Sequence, residues 1–232
     1  MGNLLEVNNV YKSIKGKEIL RGVNFNIERG KVLGIMGPNG QGKTTLLNII
    51  EGFLKIDKGE IKLEGNSISH VTKGQISYLQ DMNIFNRSMK IKDAIKLYSD
   101  FFQDFNREKM DNYLEFMNLD RNSKIKDLSK GMMEKFNLSL TLSRKARLFL
   151  LDEPISGVDP VSREKILDAI LENLSEDSSM IITTHYIGEL ERIFDEVLFL
   201  GDGKVIEYGN AEELREKHGS SIDEIYRKIF AE

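Results

Sequence analysis

The sequence contains no cysteine, so neither a disulfide nor a thiolate metal site can form. This absence agrees with a reducing cytoplasm. Only 3 prolines occur, and 40% of the residues are apolar, which is typical of a compact globular chain rather than a disordered one. There is also no excess of positive charge. The net charge of -4 and the pI of about 5.6 argue against a nucleic-acid-binding protein.

Long apolar runs are absent as well, and none approaches the roughly 20 residues of a transmembrane helix. Residues 1–6 lack the basic segment and apolar stretch of a signal peptide and the Ser or Thr of a myristoylation site. The sequence therefore predicts a soluble chain that reaches a membrane only through a partner. Its 232 residues are enough for one large domain.

Residues 37–45 match G-x-x-x-x-G-K-[ST], the phosphate-binding loop. The apolar run 32–36 predicts a buried strand before the loop, and residues 45–51 predict a helix after it. Glycines let the backbone turn its N–H groups toward an anion, and the helix N-terminus adds partial positive charge. We therefore predict that these residues bind a nucleotide: Gly37, Pro38, Asn39, Gly40, Gln41, Gly42, Lys43, Thr44 and Thr45.

Charged and hydroxyl side chains around this loop predict how the nucleotide is hydrolysed. Lys43 is expected to reach the β- and γ-phosphates, and the Thr44 hydroxyl to coordinate Mg²⁺. Asp152 and Glu153 follow the apolar run 148–151. Such a pair also occurs where a strand exits into solvent, but a phosphate loop in the same chain favours catalysis. We expect Asp152 to orient the metal, directly or through water, and Glu153 to act as general base.

With four further motifs, the chain resembles the nucleotide-binding subunit of ATP-binding cassette transporters over essentially all 232 residues. Leu128-Ser129-Lys130-Gly131-Met132 stands in the place of that family's signature, L-S-G-G-Q. The other three motifs are the D-loop at 156–160 with Asp159, the switch histidine His185 and the Q-loop glutamine Gln80.

The resemblance implies two cassettes that pair head to tail, with Mg²⁺ and ATP between the phosphate loop of one and the signature of the other. Ser129, Lys130 and Gly131 would face the partner's ATP, and Asp159 would lie at the dimer interface.

By the same resemblance, His185 would hydrogen-bond the γ-phosphate, and Gln80 would touch Mg²⁺ or the attacking water. Lys130 replaces a Gly, adding a charge that either helps or crowds the phosphates. Met132 replaces a Gln, which removes a polar contact to the partner's ribose. Where the family often stacks an aromatic on adenine, this chain has Ile14, so we expect apolar packing and weak discrimination between ATP and GTP.

The implied fold class is α/β: a P-loop NTPase with a mixed or parallel core sheet flanked by helices, an N-terminal antiparallel β layer and an inserted α-helical subdomain. Residues 1–232 would form a single ABC ATPase domain, with a catalytic core of about 1–81 and 143–232. The helical subdomain would cover about 82–142, where apolar residues recur at helical spacing.

The signature form and the tail resemble those of drug-, peptide- and bacteriocin-exporting cassettes. They predict the motor ATPase of an exporter, which pairs with a second ABC ATPase subunit, identical or related, and with a transmembrane permease subunit. It would lie in the cytoplasm on the inner face of the cell membrane and bind no nucleic acid. The alternative is a soluble ABC ATPase that acts as a nucleotide-gated switch on ribosomes or DNA.

Apolar residues just after Gln80 leave a further choice open. Ile84, Phe85, Met89 and Ile91 either form a docking surface for the membrane subunit or belong to the ordinary core.

Overall fold

The computed structural model describes residues 2–80 and 85–231, and within them the chain forms two β-sheets and nine α-helices. The strands are β1 (Asn3–Ile14), β2 (Lys17–Glu28), β3 (Val32–Met36), β4 (Lys58–Leu63), β5 (Asn66–Ser67), β6 (Ile76–Leu79), β7 (Leu148–Asp152), β8 (Ser179–Thr183), β9 (Glu196–Gly201) and β10 (Lys204–Asn210). The helices are α1 (Lys43–Glu51), α2 (His70–Lys73), α3 (Ile91–Phe101), α4 (Arg107–Phe116), α5 (Lys130–Leu142), α6 (Pro160–Glu172), α7 (Ile187–Leu190), α8 (Ala211–His218) and α9 (Ile222–Phe230).

The two sheets have different strand directions. The first sheet has the order β2-β1-β4-β5 and is antiparallel throughout. The second has the order β10-β9-β3-β8-β7-β6, and only the pairing of β10 with β9 is antiparallel. These sheets and the surrounding helices confirm the α/β fold class and the antiparallel N-terminal layer.

Strands β3 and β7 of the second sheet are buried along their whole length because both faces of the sheet are covered there. In β3, Leu33 and Ile35 pack in the cluster between this sheet, the antiparallel layer and α1. Their neighbours Val32 and Met36 pack in the cluster on the opposite face, together with the other helices. Successive strand residues point to opposite faces, so a continuous apolar run serves two cores.

The parallel register brings the carboxyl ends of several strands to one edge of the second sheet. Leu79 at the end of β6 pairs with Leu151 of β7, and Asp152 of β7 pairs with Thr183 of β8. Thr183 also pairs with Ile35 of β3. Four parts of the site therefore lie at this edge, where α/β sheets bind their ligands. They are the phosphate loop, Gln80, Asp152 and the segment before α7.

Helices α3, α4 and α5 lie between the ends of β6 and β7, in the segment where helical spacing was noted. Phe85 and Ile91 are buried in the core, and Met89 packs against it. The structure thus favours core over docking surface for these three, while Ile84 lies outside the described residues. The division into a catalytic core and a helical subdomain stays a prediction. Among the described residues, no helix is long and apolar enough to span a membrane.

Arg144 ties the helical segment to the sheet from a buried position. Its Nε donates to Asp104 Oδ1 at 3.1 Å, and its Nη1 and Nη2 donate to the carbonyls of Ile76 and Gly74 at 2.6 Å. The guanidinium carbon also lies 4.0 Å from the ring centroid of Phe102. Since only 4% of Arg144 is exposed, little solvent screens these contacts.

We predict that Arg144→Met lowers the free energy of unfolding by about 3–5 kcal/mol, because it leaves a carboxylate and two carbonyls without their partner. Urea denaturation followed by circular dichroism measures this change. Arg227→Met is the matched control, since Arg227 pairs with Asp223 at the surface and such pairs contribute about 0–1 kcal/mol. Equal losses in the two variants would contradict the prediction.

Candidate functional site

The phosphate loop connects β3 to α1, and its glycines meet two geometric demands. Gly40 and Gly42 have φ of 80° and 102°, a region that residues with a Cβ rarely adopt. At Gly37 a Cβ would collide with the carbonyl oxygen of Leu200. The loop can therefore lie directly against the end of β9 only because Gly37 carries no side chain.

Neighbouring strands brace the loop from outside. The Asp202 N–H, in the turn between β9 and β10, donates to Gln41 Oε1 at 2.7 Å. A Cβ at Gly42 would come within 2.8 Å of Leu20 Cδ2 on β2. Gln41 thus holds the loop to the sheet rather than pointing freely at a ligand.

A pocket of about 240 Å³ opens over this loop. It brings together most of the predicted nucleotide-binding residues with both carboxylates of the β7 end. Its lining is Ile19, Asn39, Gly40, Gly42, Lys43, Thr44, Thr45, Asp152 and Glu153.

Lys43 is almost fully buried at the start of α1, with 7% of its surface exposed. Its Nζ donates to the carbonyls of Gly37 at 2.5 Å and of Pro38 at 3.2 Å. Burial lowers the pKa of this ammonium, and the charges of Glu153 and Asp152 oppose that shift. The ammonium is held over the loop, where a phosphate chain would meet it.

Asp152 lies between two hydroxyl groups. Thr44 Oγ1 donates to Asp152 Oδ2 at 2.7 Å, and Thr183 Oγ1 donates to Asp152 Oδ1 at 2.5 Å. Hydroxyl and carboxylate oxygens are the ligands that Mg²⁺ prefers, so this oxygen set suits the predicted metal. The sequence analysis did not identify Thr183 as a site residue. The feature that could have indicated it is its position at the end of the strand before His185.

Glu153 follows β7 with φ of 52°, a left-handed conformation that is uncommon for residues other than glycine. Its backbone N–H contacts Thr183, 3.1 Å from the carbonyl oxygen and 3.2 Å from the hydroxyl. Glu153 Oε2 lies 2.7 Å from His185 Nδ1. The structure therefore brings two residues predicted to be catalytic into direct contact, although 32 positions separate them in the sequence.

Gln80 and the signature border a second cavity of about 450 Å³. They share it with Asp152 and Glu153, so both cavities meet at the two carboxylates. The polar residues of its lining are Gln80, Arg87, Lys126, Ser129, Lys130, Glu134, Asn137, Asp152, Glu153 and Ser156.

The signature lies at the capped start of α5. The side chain of Ser129 accepts a hydrogen bond from the Met132 N–H at 3.2 Å. Lys130 is exposed and lies 3.7 Å from Glu134 Oε1. Glu134, another residue that the sequence did not single out, accepts at Oε2 from the Gly157 N–H at 2.9 Å.

The D-loop lies against this helix start. A Cβ at Gly131 would be 3.2 Å from the Gly157 carbonyl oxygen, so the small residue allows close approach. Asp159 caps α6 by accepting from the Ser162 N–H at 3.0 Å. Hydrogen bonds from the Ser162 side chain and backbone lower the pKa of the Asp159 carboxyl. Asp159 thus has a structural role besides the predicted interface role.

Ile14 does not line the pocket over the phosphate loop. It ends β1, pairs with Lys17 and is 37% exposed. Ile19, not Ile14, lines the pocket over the phosphate loop. The packing of Ile14 on adenine stays a prediction.

Comparisons with known proteins agree with this geometry. The profile of the ABC transporter family matches residues 20–156, which include the phosphate loop, the signature and both carboxylates. The chain belongs to the ABC transporter ATP-binding family. It is therefore an ATPase subunit of the ABC transporter type.

Curated relatives extend the similarity beyond the matched segment. The ABC transporter ATP-binding protein YtrB of Bacillus subtilis (strain 168) is 30% identical over 222 residues, which cover 93% of this ABC ATPase and 75% of YtrB. The lantibiotic transport ATP-binding protein SrtF of Streptococcus pyogenes is 29% identical over 224 residues, 94% and 97% of the two chains. The Nod factor export ATP-binding protein I of Ralstonia nicotianae is 26% identical, and the match covers 96% of this chain and 72% of that protein.

Solved structures share the fold along the whole chain. The ADP conformation of MJ1267, an ATP-binding cassette of an ABC transporter, has a TM-score of 0.81, 25% identity and full coverage of both chains. An ATP binding subunit of an ABC transporter has a TM-score of 0.88 at 23% identity, and the match covers 97% of this chain and 99% of that subunit.

We predict that Gly37→Ala lowers the free energy of unfolding by about 1–3 kcal/mol and weakens nucleotide binding, because the loop must move away from the Leu200 carbonyl. Urea denaturation and titration with a fluorescent ATP analogue measure the two effects. Gly209→Ala is the control, since a Cβ there would meet Leu214 Cγ at an ordinary 3.8 Å. A Gly37→Ala protein with unchanged stability and affinity would refute the close approach.

Proposed function

We propose that this ABC ATPase is the motor subunit of an exporter, and that it hydrolyses Mg-ATP at an interface with a second cassette. The observation that carries the proposal is the contact of Glu153 with His185 at the sheet edge, beside the Thr44–Asp152 pair and the phosphate loop. The γ-phosphate of a nucleotide seated on the loop would face these four side chains.

The chemistry follows from what each side chain can do. Glu153 accepts a proton from the attacking water, which is the role of a general base. His185, 2.7 Å away, orients that carboxylate and can donate a hydrogen bond to the γ-phosphate. Lys43 neutralises charge that develops on the phosphates, from a buried position where solvent screens little of its charge.

A magnesium ion would be held by Thr44 and Asp152, with Gln80 approaching from the end of β6. When bound, the ion neutralises charge on the β- and γ-phosphates. The hydrogen bond between Thr44 and Asp152 places two hard oxygen donors side by side and supports this assignment.

A second cassette is proposed because the signature does not line the pocket over its own phosphate loop. Ser129 and Lys130 border the neighbouring cavity, and the Lys130 side chain is 71% exposed. An exposed cation at a capped helix start is available to the nucleotide of another subunit. ATP would then join two subunits, and hydrolysis would release them, since the ligand binds the closed state better. The partner is a second copy or a related subunit.

A transmembrane permease subunit is proposed to dock in a groove of about 190 Å³ beside the second cavity. Several aromatic residues line it, with Phe53 62% exposed, and Gln80 borders both the groove and the second cavity. This shared border supports a role for Gln80 in sensing both the permease and the nucleotide. The other aromatic lining residues are Tyr78, Tyr98, Phe102 and, at the bottom of the groove, the core residue Phe85.

Export is proposed from the relatives' names, lantibiotic transport for SrtF and Nod factor export for protein I. The subunit would work in the cytoplasm, attached to the inner face of the membrane through the permease. The acidic net charge of -4 supports a partner other than nucleic acid.

We predict that Glu153→Gln lowers kcat for ATP at least about 100-fold, because the general base is lost, while the affinity for ATP changes little. Phosphate release and ATP titration measure the two quantities, and size-exclusion chromatography with ATP should show a stable dimer. Lys43→Ala separates binding from chemistry, since it should weaken ATP binding itself. Glu176→Gln, at an exposed position, should behave as wild type. Normal turnover in Glu153→Gln would show that another group is the base.

A fractionation experiment tests the transport role. We expect the protein to sediment with membranes when it is made with its permease and to remain in the supernatant without it. Phe53→Asp should abolish sedimentation without lowering ATP affinity, because it adds a charge to the groove. Phe101→Asp is the control, since Phe101 is 75% exposed and does not line the groove. Sedimentation with ribosomes or DNA instead would favour the soluble switch.

A further inference from the structure

Arg163, near the start of α6, connects the D-loop to the segment that carries His185. Its Nε donates to the Val158 carbonyl of the D-loop at 3.0 Å. Its Nη1 donates to Glu189 Oε1 on α7 at 2.5 Å. Only 16% of the Arg163 side chain is exposed, whereas 41% of the Glu189 side chain is exposed, so the contact with Val158 is the better shielded from solvent.

The same guanidinium stacks on the residue next to His185. The Arg163 Cζ lies 4.2 Å from the centroid of the Tyr186 ring, a distance at which a cation and an aromatic face attract each other. The Tyr186 hydroxyl lies 3.4 Å from the Ser156 carbonyl oxygen, to which it donates, and its ring centroid is 4.1 Å from that of His185. Tyr186 is therefore held between the D-loop, Arg163 and the imidazole.

These contacts give His185 a support that does not come from the phosphate loop. His185 itself is half-exposed, and it follows β8 on a short connection to the four-residue helix α7. Within it, the His185 N–H donates to Glu153 Oε2 at 3.3 Å and the Tyr186 N–H donates to Thr184 Oγ1 at 2.9 Å. Tyr186 and Glu189 add contacts to the rest of the protein. Arg163 contacts both.

We propose that Arg163 is a positioning residue that couples the D-loop to His185. It holds the imidazole 2.7 Å from Glu153, and it transmits to His185 any displacement of Val158 when a second cassette approaches the D-loop. This inference rests on the proposed roles of Glu153 and His185. Arginine is required because its planar fork can donate in two directions while it stacks, which a lysine ammonium cannot do.

The first test separates catalysis from binding. Arg163→Met should lower kcat about 10-fold to 100-fold, since small misplacements of a catalytic group have effects of that size, and leave the Kd for ATP within about 2-fold. Arg163→Lys should restore little of the loss. Arg29→Met is the matched control, because Arg29 makes an equivalent 2.5 Å contact with Glu64 on the antiparallel layer. Full activity in Arg163→Lys, or a Kd that rises as much as kcat falls, would overturn the proposal.

The second test asks whether Arg163 acts through His185. In a His185→Ala background, Arg163→Met should reduce the remaining kcat by less than about 2-fold, because coupled residues are not additive. An unchanged fold-loss in that background would overturn the Arg163 proposal alone. If His185→Ala itself had wild-type kcat, the proposed role of His185 would fail instead, and the two failures are thus distinguishable.

A third test measures the NMR signal of the His185 imidazole, which requires neither nucleotide nor turnover. It applies even if Arg163→Met folds poorly. The chain has 3 histidines, so the imidazole proton signal of His185 can be assigned by NMR with His185→Ala. Glu189→Gln weakens the ion pair between Glu189 and Arg163, and Glu189 is partly exposed. This variant should shift the His185 signal and lower kcat, whereas Arg29→Met should do neither. An unmoved signal in Glu189→Gln would count against the coupling.

Discussion

The carboxylate of Asp152, held between the hydroxyls of Thr44 and Thr183, is the contact on which the site depends. It joins three parts of the chain: the start of α1 and the ends of β7 and β8. Because two short hydrogen bonds fix one carboxylate, the phosphate loop has a defined distance from the strand ends. The positions of Glu153 and His185 depend on that arrangement, since Glu153 follows β7 and His185 follows β8.

The layered fold makes this contact possible. A parallel sheet places the carboxyl ends of its strands on one edge, and coverage of both faces requires apolar runs such as 148–151. Polar residues can begin only where such a run ends. The change from Leu151 to Asp152 therefore marks both the end of a buried strand and the beginning of the chemistry.

Close packing around the phosphate loop is a second constraint. The Leu200 carbonyl and the Leu20 side chain occupy the space where side chains at Gly37 and Gly42 would lie. Lys43 is buried in the same place, and burial lowers the pKa of its ammonium while the neighbouring carboxylates oppose the shift. The loop thus combines a rigid backbone with a shielded cation, and both properties favour a ligand with several negative charges.

Local features of the sequence were enough to identify the phosphate loop and the Asp-Glu strand end, because each depends on neighbouring residues. The resemblance to ATP-binding cassettes predicted the family and the α/β fold with its antiparallel layer, which are confirmed. The site roles and the subdomain division stay predictions. Only the tertiary structure showed that Thr183 holds Asp152, that Ile19 rather than Ile14 lines the pocket, and that Arg163 joins the D-loop to Tyr186. Those contacts join residues distant in the chain, and they follow from strand register and helix packing, which no local pattern specifies.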